Sequence, residues 1–252
     1  MKRLLIAGVV GMILVTASCS REAKTAHRAR TGPIKVLVVT GGHEFEHDAL
    51  FTLFQGYDDI EYVEKDLKGQ SDVFEDVSGW DYDVIVLYNM TDGISEKGKR
   101  NFLALLDDGV GVLALHHSIA NFQYWREYKR IIGCKFYHQK TEENGTVYEK
   151  SGYQHDVDVP IKVVNAQHPV TRGLSDFTIN DEVYSRQGFE PDNVVLLTTD
   201  HPLSDKPLCV VRKYAKANVC CIQPGHGAPT YNDANYRRLV VQAIRWCAGR
   251  AE

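Results

Sequence analysis

Val110–Ser118, VGVLALHHS, is an apolar run that ends abruptly in two histidines and a serine. Nothing polar interrupts it from Val110 to Leu115, so it reads as a strand covered on both faces rather than one that alternates between core and water. Four further segments have the same character: Lys35–Thr40 (KVLVVT), Ile60–Val63, Asp83–Tyr88 (DVIVLY) and Val219–Gln223 (VCCIQ). Between the early ones lie helical patterns, with apolar residues three or four apart. These are His47–Gln55, Ser95–Leu106 with Ser95 as its cap, and Phe122–Ile132. Strand alternating with helix predicts parallel pairing with right-handed crossovers.

The second half changes rhythm. Val157–Val164, Phe177–Tyr184, Val194–Thr199 and Leu208–Tyr214 read as strands joined by turns, an antiparallel extension of the sheet, and a helix over Ala234–Ala248 closes the domain. The segment from Lys140 to Gln154 is expected to be a long rim or lid loop.

The first residues lead to an expectation about the compartment. Lys2 and Arg3 precede an apolar run from Leu4 to Val15, followed by Thr16-Ala17-Ser18-Cys19. That is the pattern of a secretory signal with a lipidation site at Cys19, too short to span a bilayer as a stable anchor. Residues 1–19 are therefore expected to be a lipoprotein signal and residues 20–33, without a large apolar side chain, a flexible tether. Residues 34–252 are expected to be one α/β domain, exported, facing the periplasm or cell surface, and touching the membrane only through the N-terminal lipid. Loss of Lys2 and Arg3 moves the formal net charge from −4 to −6, and no basic stripe appears, so nucleic acid is not an expected partner. The six cysteines include no Cys-x-x-Cys spacing, which argues against a zinc knot or a disulfide scaffold. The sequence sets no oligomeric state.

Ligands of open parallel sheets bind beyond the carboxyl ends of the strands, and the polar chemistry of this chain gathers there. The first strand runs into Gly41-Gly42-His43-Glu44, the strand at Val110 into His116-His117-Ser118, the strand at Phe177 into Asp181-Glu182, and the strand at Val219 into Pro224-Gly225-His226-Gly227. His43, His116, His226 and Glu182 are the candidate catalytic groups. His43, His116 and His226 are also candidate ligands of a divalent metal, zinc or another first-row ion, which suits neutral imidazole and carboxylate donors. Which of His116 and His117 faces the site is left open, since a small rotation of a turn exchanges them. Ser118 is a weak nucleophile candidate because the G-x-S-x-G pattern is absent. His43-Glu44-Phe45-Glu46-His47 satisfies H-E-x-x-H, but Gly41-Gly42 place His43 in a turn, and the protease motif needs both rings on one helical face.

Several segments, in order, resemble the trehalose-utilisation, or ThuA-like, family: GGHEFEH from Gly41, LHHSIANF with Trp125 and Tyr128 after it, HPVTRGL from His168, INDEVYS from Ile179, and the closing PGHG with IRWCAG. The resemblance implies a flavodoxin-like, class I glutamine amidotransferase-like three-layer α/β sandwich with an antiparallel extension. In such amidotransferases the strand-end elbow carries a cysteine, and here His116 stands in that place with His226 where the partner histidine would be. Thiol glutaminase activity is therefore not expected. The family's association with disaccharide catabolism, including routes through 3-keto-glycosides, implies a small carbohydrate ligand. Aromatic faces for the sugar are sought in Phe45, Trp125, Tyr184 and Tyr124, and polar partners in His117, Asp181, Glu182 and Arg186. The expectation is an enzyme acting on a disaccharide, glycoside or 3-keto-sugar by histidine and carboxylate acid–base chemistry, with or without a metal. The alternative is a carbohydrate-binding lipoprotein that has lost catalysis.

Overall fold

The computed structural model describes residues 32–67 and 72–251. The signal, Cys19 and all but the last two residues of the tether lie outside the described residues. The chain begins with β1 (Ile34–Gly41), α1 (His47–Phe51), β2 (Ile60–Asp66), β3 (Val84–Asn89), α2 (Glu96–Asp107) and β4 (Gly111–Leu115). It continues through α3 (Arg126–Ile132), β5 (Cys134–Lys135), β6 (Thr141–Glu143), β7 (Thr146–Tyr148), β8 (Gly152–Val163), β9 (Phe177–Ser185) and β10 (Gly188–Phe189). The last elements are β11 (Val194–Thr198), β12 (Pro207–Tyr214), β13 (Ala217–Ile222), α4 (Ala228–Tyr231) and α5 (Ala234–Cys247).

The main sheet has the order β2-β1-β3-β4-β13-β12-β11-β8-β9. Pairing is parallel from β2 to β13 and antiparallel from β13 to β9. Five parallel strands in this order are the flavodoxin arrangement, whose order reverses between β1 and β3. The apolar runs do what their composition predicts: every side chain of β3, β4 and β13 is buried. One face packs against α1, the 3-10 turn after it and α5 through Phe51, Phe54, Tyr236 and Ile244. The other packs against α2 and α3 through Phe102, Leu105, Tyr128 and Ile131. The result is the expected three-layer α/β sandwich with an antiparallel extension. Ser95 caps α2 as expected, its hydroxyl accepting from the Gly98 amide at 2.9 Å.

Three local expectations are corrected. The helix expected from Phe122 starts only at Arg126, because Phe122 takes a left-handed φ of 48° and its amide bonds the Thr91 carbonyl instead of a helical turn. The segment 140–154 is not an irregular lid: β6 and β7 form a hairpin, and β8 begins at Gly152. Asp181 and Glu182 sit in the middle of β9, not at a strand end. They reach the site because β9 is bound to the loop after β13: the Asp181 carboxylate accepts from the amides of Gly225 and His226, and Thr230 bonds the Asn180 carbonyl. Among the described residues, no helix is long and apolar enough to cross a membrane.

Candidate functional site

The polar cluster forms where β4 ends. Leu115 is paired with Ile222 across β4 and β13, so the next residues, His116 and Gln223, leave the sheet side by side. His116 opens a 3-10 turn and adopts φ 48°, a left-handed backbone that a non-glycine residue holds only at a cost of about 1–3 kcal/mol. The sharp bend is the elbow anticipated for this strand, and it turns the ring inward, where it is 1% exposed. Its Nδ1–H donates to the Gln223 carbonyl at 3.0 Å. A carbonyl only accepts, so Nδ1 carries a proton and Nε2 is the ring nitrogen left to face the cluster.

Around Nε2 three groups converge. Glu182 Oε2 lies 3.1 Å away and His226 Nδ1 3.2 Å away, while Glu182 Oε2 and His226 Nδ1 are 3.4 Å apart. The Tyr184 hydroxyl donates to Glu182 Oε2 at 2.9 Å and stands 3.1 Å from His116 Nε2. The loop that brings His226 in passes very close to its neighbours. Gly225 has φ 133°, and a Cβ there would come within 2.3 Å of the Tyr236 hydroxyl, so glycine is required. Asp181 borders the recess beside His226, and its carboxylate accepts from the Gly225 and His226 amides and the Thr230 hydroxyl, fixing this loop.

The charges follow from these contacts. Burial pushes the Glu182 carboxyl upward, but hydrogen bonds from His116 and His226 outweigh it and hold the group well below the usual carboxylate range. The same hydrogen bond to Glu182 raises His226, against its partial burial. Burial, and then the Glu182 charge, push Tyr184 well above an ordinary phenol. His117 settles the question of the adjacent rings: it points away from the cluster, bonds the Tyr88 carbonyl at 3.2 Å, and packs edge-on against the Tyr88 ring. Burial, helped by His116 and His43 nearby, lowers its pKa well below normal, so it is a neutral anchor of the loop.

Glu182 and Tyr184 open onto a cavity of about 350 Å³, whose wall includes His43, His117, Tyr153 and His155. His226 opens onto a second recess of about 470 Å³ with Phe45, Asp156 and Asn180. The two are separated by a bulge in β8. Gln154 pairs with Val183 and Val157 with Asp181, so His155 and Asp156 together oppose Glu182, and Asp156 is left-handed at φ 56°. The bulge sends His155 to one cavity, 3.6 Å from Glu182 Oε1 and with its ring tilted against that of His226, and Asp156 to the other.

His155 was missed from the sequence, because a bulge interrupts the alternation that would mark it. Other expectations part company with the geometry. His43 stays outside the inner cluster; its ring stacks on His117 with centroids 4.7 Å apart. His47 starts α1 and turns to Glu64 at 2.9 Å, so the H-E-x-x-H rings do not share a helical face. Trp125 packs in the core against Phe102 and Tyr128, away from the cavity. Arg186 has its Nε on the Lys150 carbonyl and lines a separate groove beside Gly152. Ser118 is fully buried and its hydroxyl meets no hydrogen-bond partner, which ends its case as a nucleophile.

Comparison with known proteins agrees with the architecture. The family model described as ThuA, trehalose utilisation, matches residues 35–247. No curated protein matches. Among solved structures, a ThuA-like protein of Parabacteroides merdae superposes with a TM-score of 0.71 at 22% identity, covering 87% of this chain and 91% of that one. A ThuA-like protein of Bacteroides uniformis gives 0.61 at 21% identity over 88% and 95% of the two chains. A β-galactosidase of Rahnella gives 0.56 at 14% identity over 85% of this chain but only 31% of that enzyme. At these identities the likeness is one of fold.

Proposed function

The chain belongs to the ThuA, or trehalose utilisation, family, and from that premise we propose that it is an enzyme acting on a small glycoside or 3-keto-sugar, with His116, Glu182 and His226 as its reacting centre. Membership supports a carbohydrate-related role. The observation that carries the step to an enzyme is the cluster itself, an ionised carboxylate and two imidazoles within hydrogen-bond reach at the junction of two cavities. A binding site alone has no need to bury a carboxylate against two histidines at a strained elbow.

The reaction class follows from the donor set. A ketone at C3 of a sugar acidifies the neighbouring C–H at C2. A base at the cluster takes that proton, the electrons move into the carbonyl, and the enediolate oxygen is met by a hydrogen-bond donor such as a protonated His226, a form that Glu182 favours. Returning the proton at C3, while the C2 hydroxyl gives up its own proton and becomes the carbonyl, gives isomerisation; expelling the substituent at C1, with a proton delivered to the departing oxygen, gives elimination. His155, exposed at the mouth and close to both Glu182 and His226, is placed to exchange that second proton with solvent. No thiol is needed, and the elbow carries none.

A second reading, carbohydrate binding without turnover, rests on the histidine that occupies the elbow position. The two are separated by a panel of disaccharides, glycosides and their 3-keto derivatives, followed by NMR for product and by calorimetry for binding. Product that disappears in Glu182→Gln supports the enzyme. Micromolar binding with no product from any member supports the binding protein and overturns the enzyme.

Export with lipidation at Cys19 is part of the same proposal, supported by the basic and apolar run before it. Labelled palmitate incorporated by the full chain and lost in Cys19→Ala is the expected result; a soluble, unlabelled full chain would refute it.

A further inference from the structure

We infer that His116 Nε2, Glu182 Oε2 and His226 Nδ1 form a three-ligand site for a tetrahedral first-row divalent cation of the zinc type, with its fourth position open to the cavity. The inference rests on the reading of this cluster as the reacting centre, and deepens it.

The first argument is metric. The three donor atoms form a nearly equilateral triangle with edges of 3.1, 3.2 and 3.4 Å. Bonds of about 2.0–2.1 Å to nitrogen and carboxylate oxygen at tetrahedral angles require donor separations of about 3.3–3.4 Å. Octahedral angles with the same bonds would bring neighbouring donors to roughly 2.9 Å. The triangle therefore fits one face of a tetrahedron better than one face of an octahedron.

The second argument is convergence. His116 Nδ1 is held by the Gln223 carbonyl, which leaves Nε2 as the ring nitrogen that faces the triangle. Glu182 Oε2, which already receives the Tyr184 hydroxyl, faces it as well. His226 Nδ1 closes it, so each of the three atoms lies within reach of the other two. One cation bonds all three together.

The third argument is the surrounding shell. Metal-binding histidines are oriented by a partner on the second ring nitrogen, and coordinating carboxylates are themselves hydrogen-bonded. His116 has its carbonyl partner and Glu182 its Tyr184 hydroxyl, while the His226 backbone amide is held by Asp181. Three protein ligands with an open side are the arrangement of catalytic rather than structural zinc. The donor set is two histidines and one carboxylate, so His43 is replaced by Glu182 among the ligands expected from the sequence.

The test is a titration of the chelator-treated full chain with zinc and with cobalt(II), read by calorimetry and, for cobalt, by the intense visible bands of a tetrahedral ion. One equivalent should bind, with tetrahedral cobalt absorption. Glu182→Gln and His226→Ala should each weaken zinc by more than about 100-fold, since outer-shell partners alone are worth 10–100-fold. His43→Ala should bind as wild type does. His226 is the accessible ligand and Glu182→Gln is isosteric, so both variants can be verified as folded by circular dichroism before titration. Failure of the wild-type chain to bind either ion in one equivalent overturns the site, as does binding unchanged in both ligand variants. Turnover of a keto-sugar by a chain that binds neither ion in one equivalent would refute the metal and leave the functional reading standing. Metal bound through these ligands without turnover of any sugar does the reverse.

Discussion

Two buried carboxylates sit in this protein in almost matching surroundings. Glu182 is 7% exposed beside a His116 that is 1% exposed; Glu143 is 7% exposed beside a Lys135 that is 1% exposed. Each accepts from a tyrosine hydroxyl, Tyr184 at 2.9 Å and Tyr137 at 2.8 Å. The difference lies in what else surrounds them. Lys135 Nζ is divided between Glu143 at 2.8 Å and the Gln123 carbonyl at 3.0 Å, and Tyr137 stacks on Tyr148 across the β6–β7 hairpin. Both oxygens of Glu143 are thus matched by fixed donors, and the cluster pins the hairpin to the body. Around Glu182 the cationic partners are imidazoles that can be neutral, one of them is 38% exposed, and the group opens on a cavity. Burial of charge alone does not mark a functional site; partners that can change protonation or ligation, within reach of solvent, do.

The same substitution at both carboxylates puts that contrast at risk. Glu182→Gln should lower turnover by about 10²–10⁴-fold, the range for losing an acid–base group, while changing unfolding free energy by no more than about 1 kcal/mol, since strained sites return stability when relieved. Glu143→Gln should do the opposite. It should cost about 3 kcal/mol in urea or thermal unfolding, the lower end for a broken buried pair because the amide oxygen still accepts from Lys135, with turnover per folded molecule unchanged. If both variants lose stability and activity together, the two clusters are not functionally distinct.

Acid sharpens the structural side. Burial works to raise the Glu143 carboxyl, but Lys135 and Tyr137 outweigh it and hold it below its ordinary value near 4.5. A carboxyl lowered in the folded state contributes stability that is complete above its unfolded pKa and lost as pH falls through the folded one. The stability gap between wild type and Glu143→Gln should therefore be full at pH 7, narrow below about pH 4.5 and continue to close on further acidification. A gap independent of pH would mean that the carboxylate charge does not secure the hairpin.

The comparison also explains what could be read from the amino acids. β1, β3, β4 and β13 are legible because strands buried on both faces leave no polar interruption, and His116 and His226 because each follows such a run directly. Glu182 was identified, though as a strand-end residue, whereas it reaches the centre through a strand bound across the loop after β13. That placement depends on long-range pairing, which local pattern does not encode. Trp125 and Arg186 show the opposite failure. Trp125 carried a helical period that Phe122's left-handed backbone cancels, and Arg186, itself left-handed at φ 56°, turns into another groove. The Lys135–Glu143 pair had no signature at all, because a polar stretch with a charged pair eight residues apart reads as a solvated loop.

Smaller effects test where the cavity ends. Tyr153 is 62% exposed and lines the cavity beside His155, an aromatic face available to a sugar ring. Stacking of this kind is worth about 0.5–1.5 kcal/mol, so Tyr153→Ala should raise KM or Kd for the preferred sugar by about 2–10-fold and leave kcat unchanged. Arg186 was a charged sugar-binding candidate, yet its guanidinium lies in the neighbouring groove with Gly152, Ser185 and Asp205, tied by Nε to the Lys150 carbonyl at 2.9 Å. Arg186→Ala removes no group from the cavity wall and only loosens the backbone of Lys150 from behind. Calorimetry with the same sugar should show a change of less than about twofold, within the few tenths of a kcal/mol typical of exposed pairs. An effect of Arg186→Ala as large as that of Tyr153→Ala would mean that the ligand extends over the β8–β9 ribbon into the second groove, and that the separation of the two recesses is not the limit of the site.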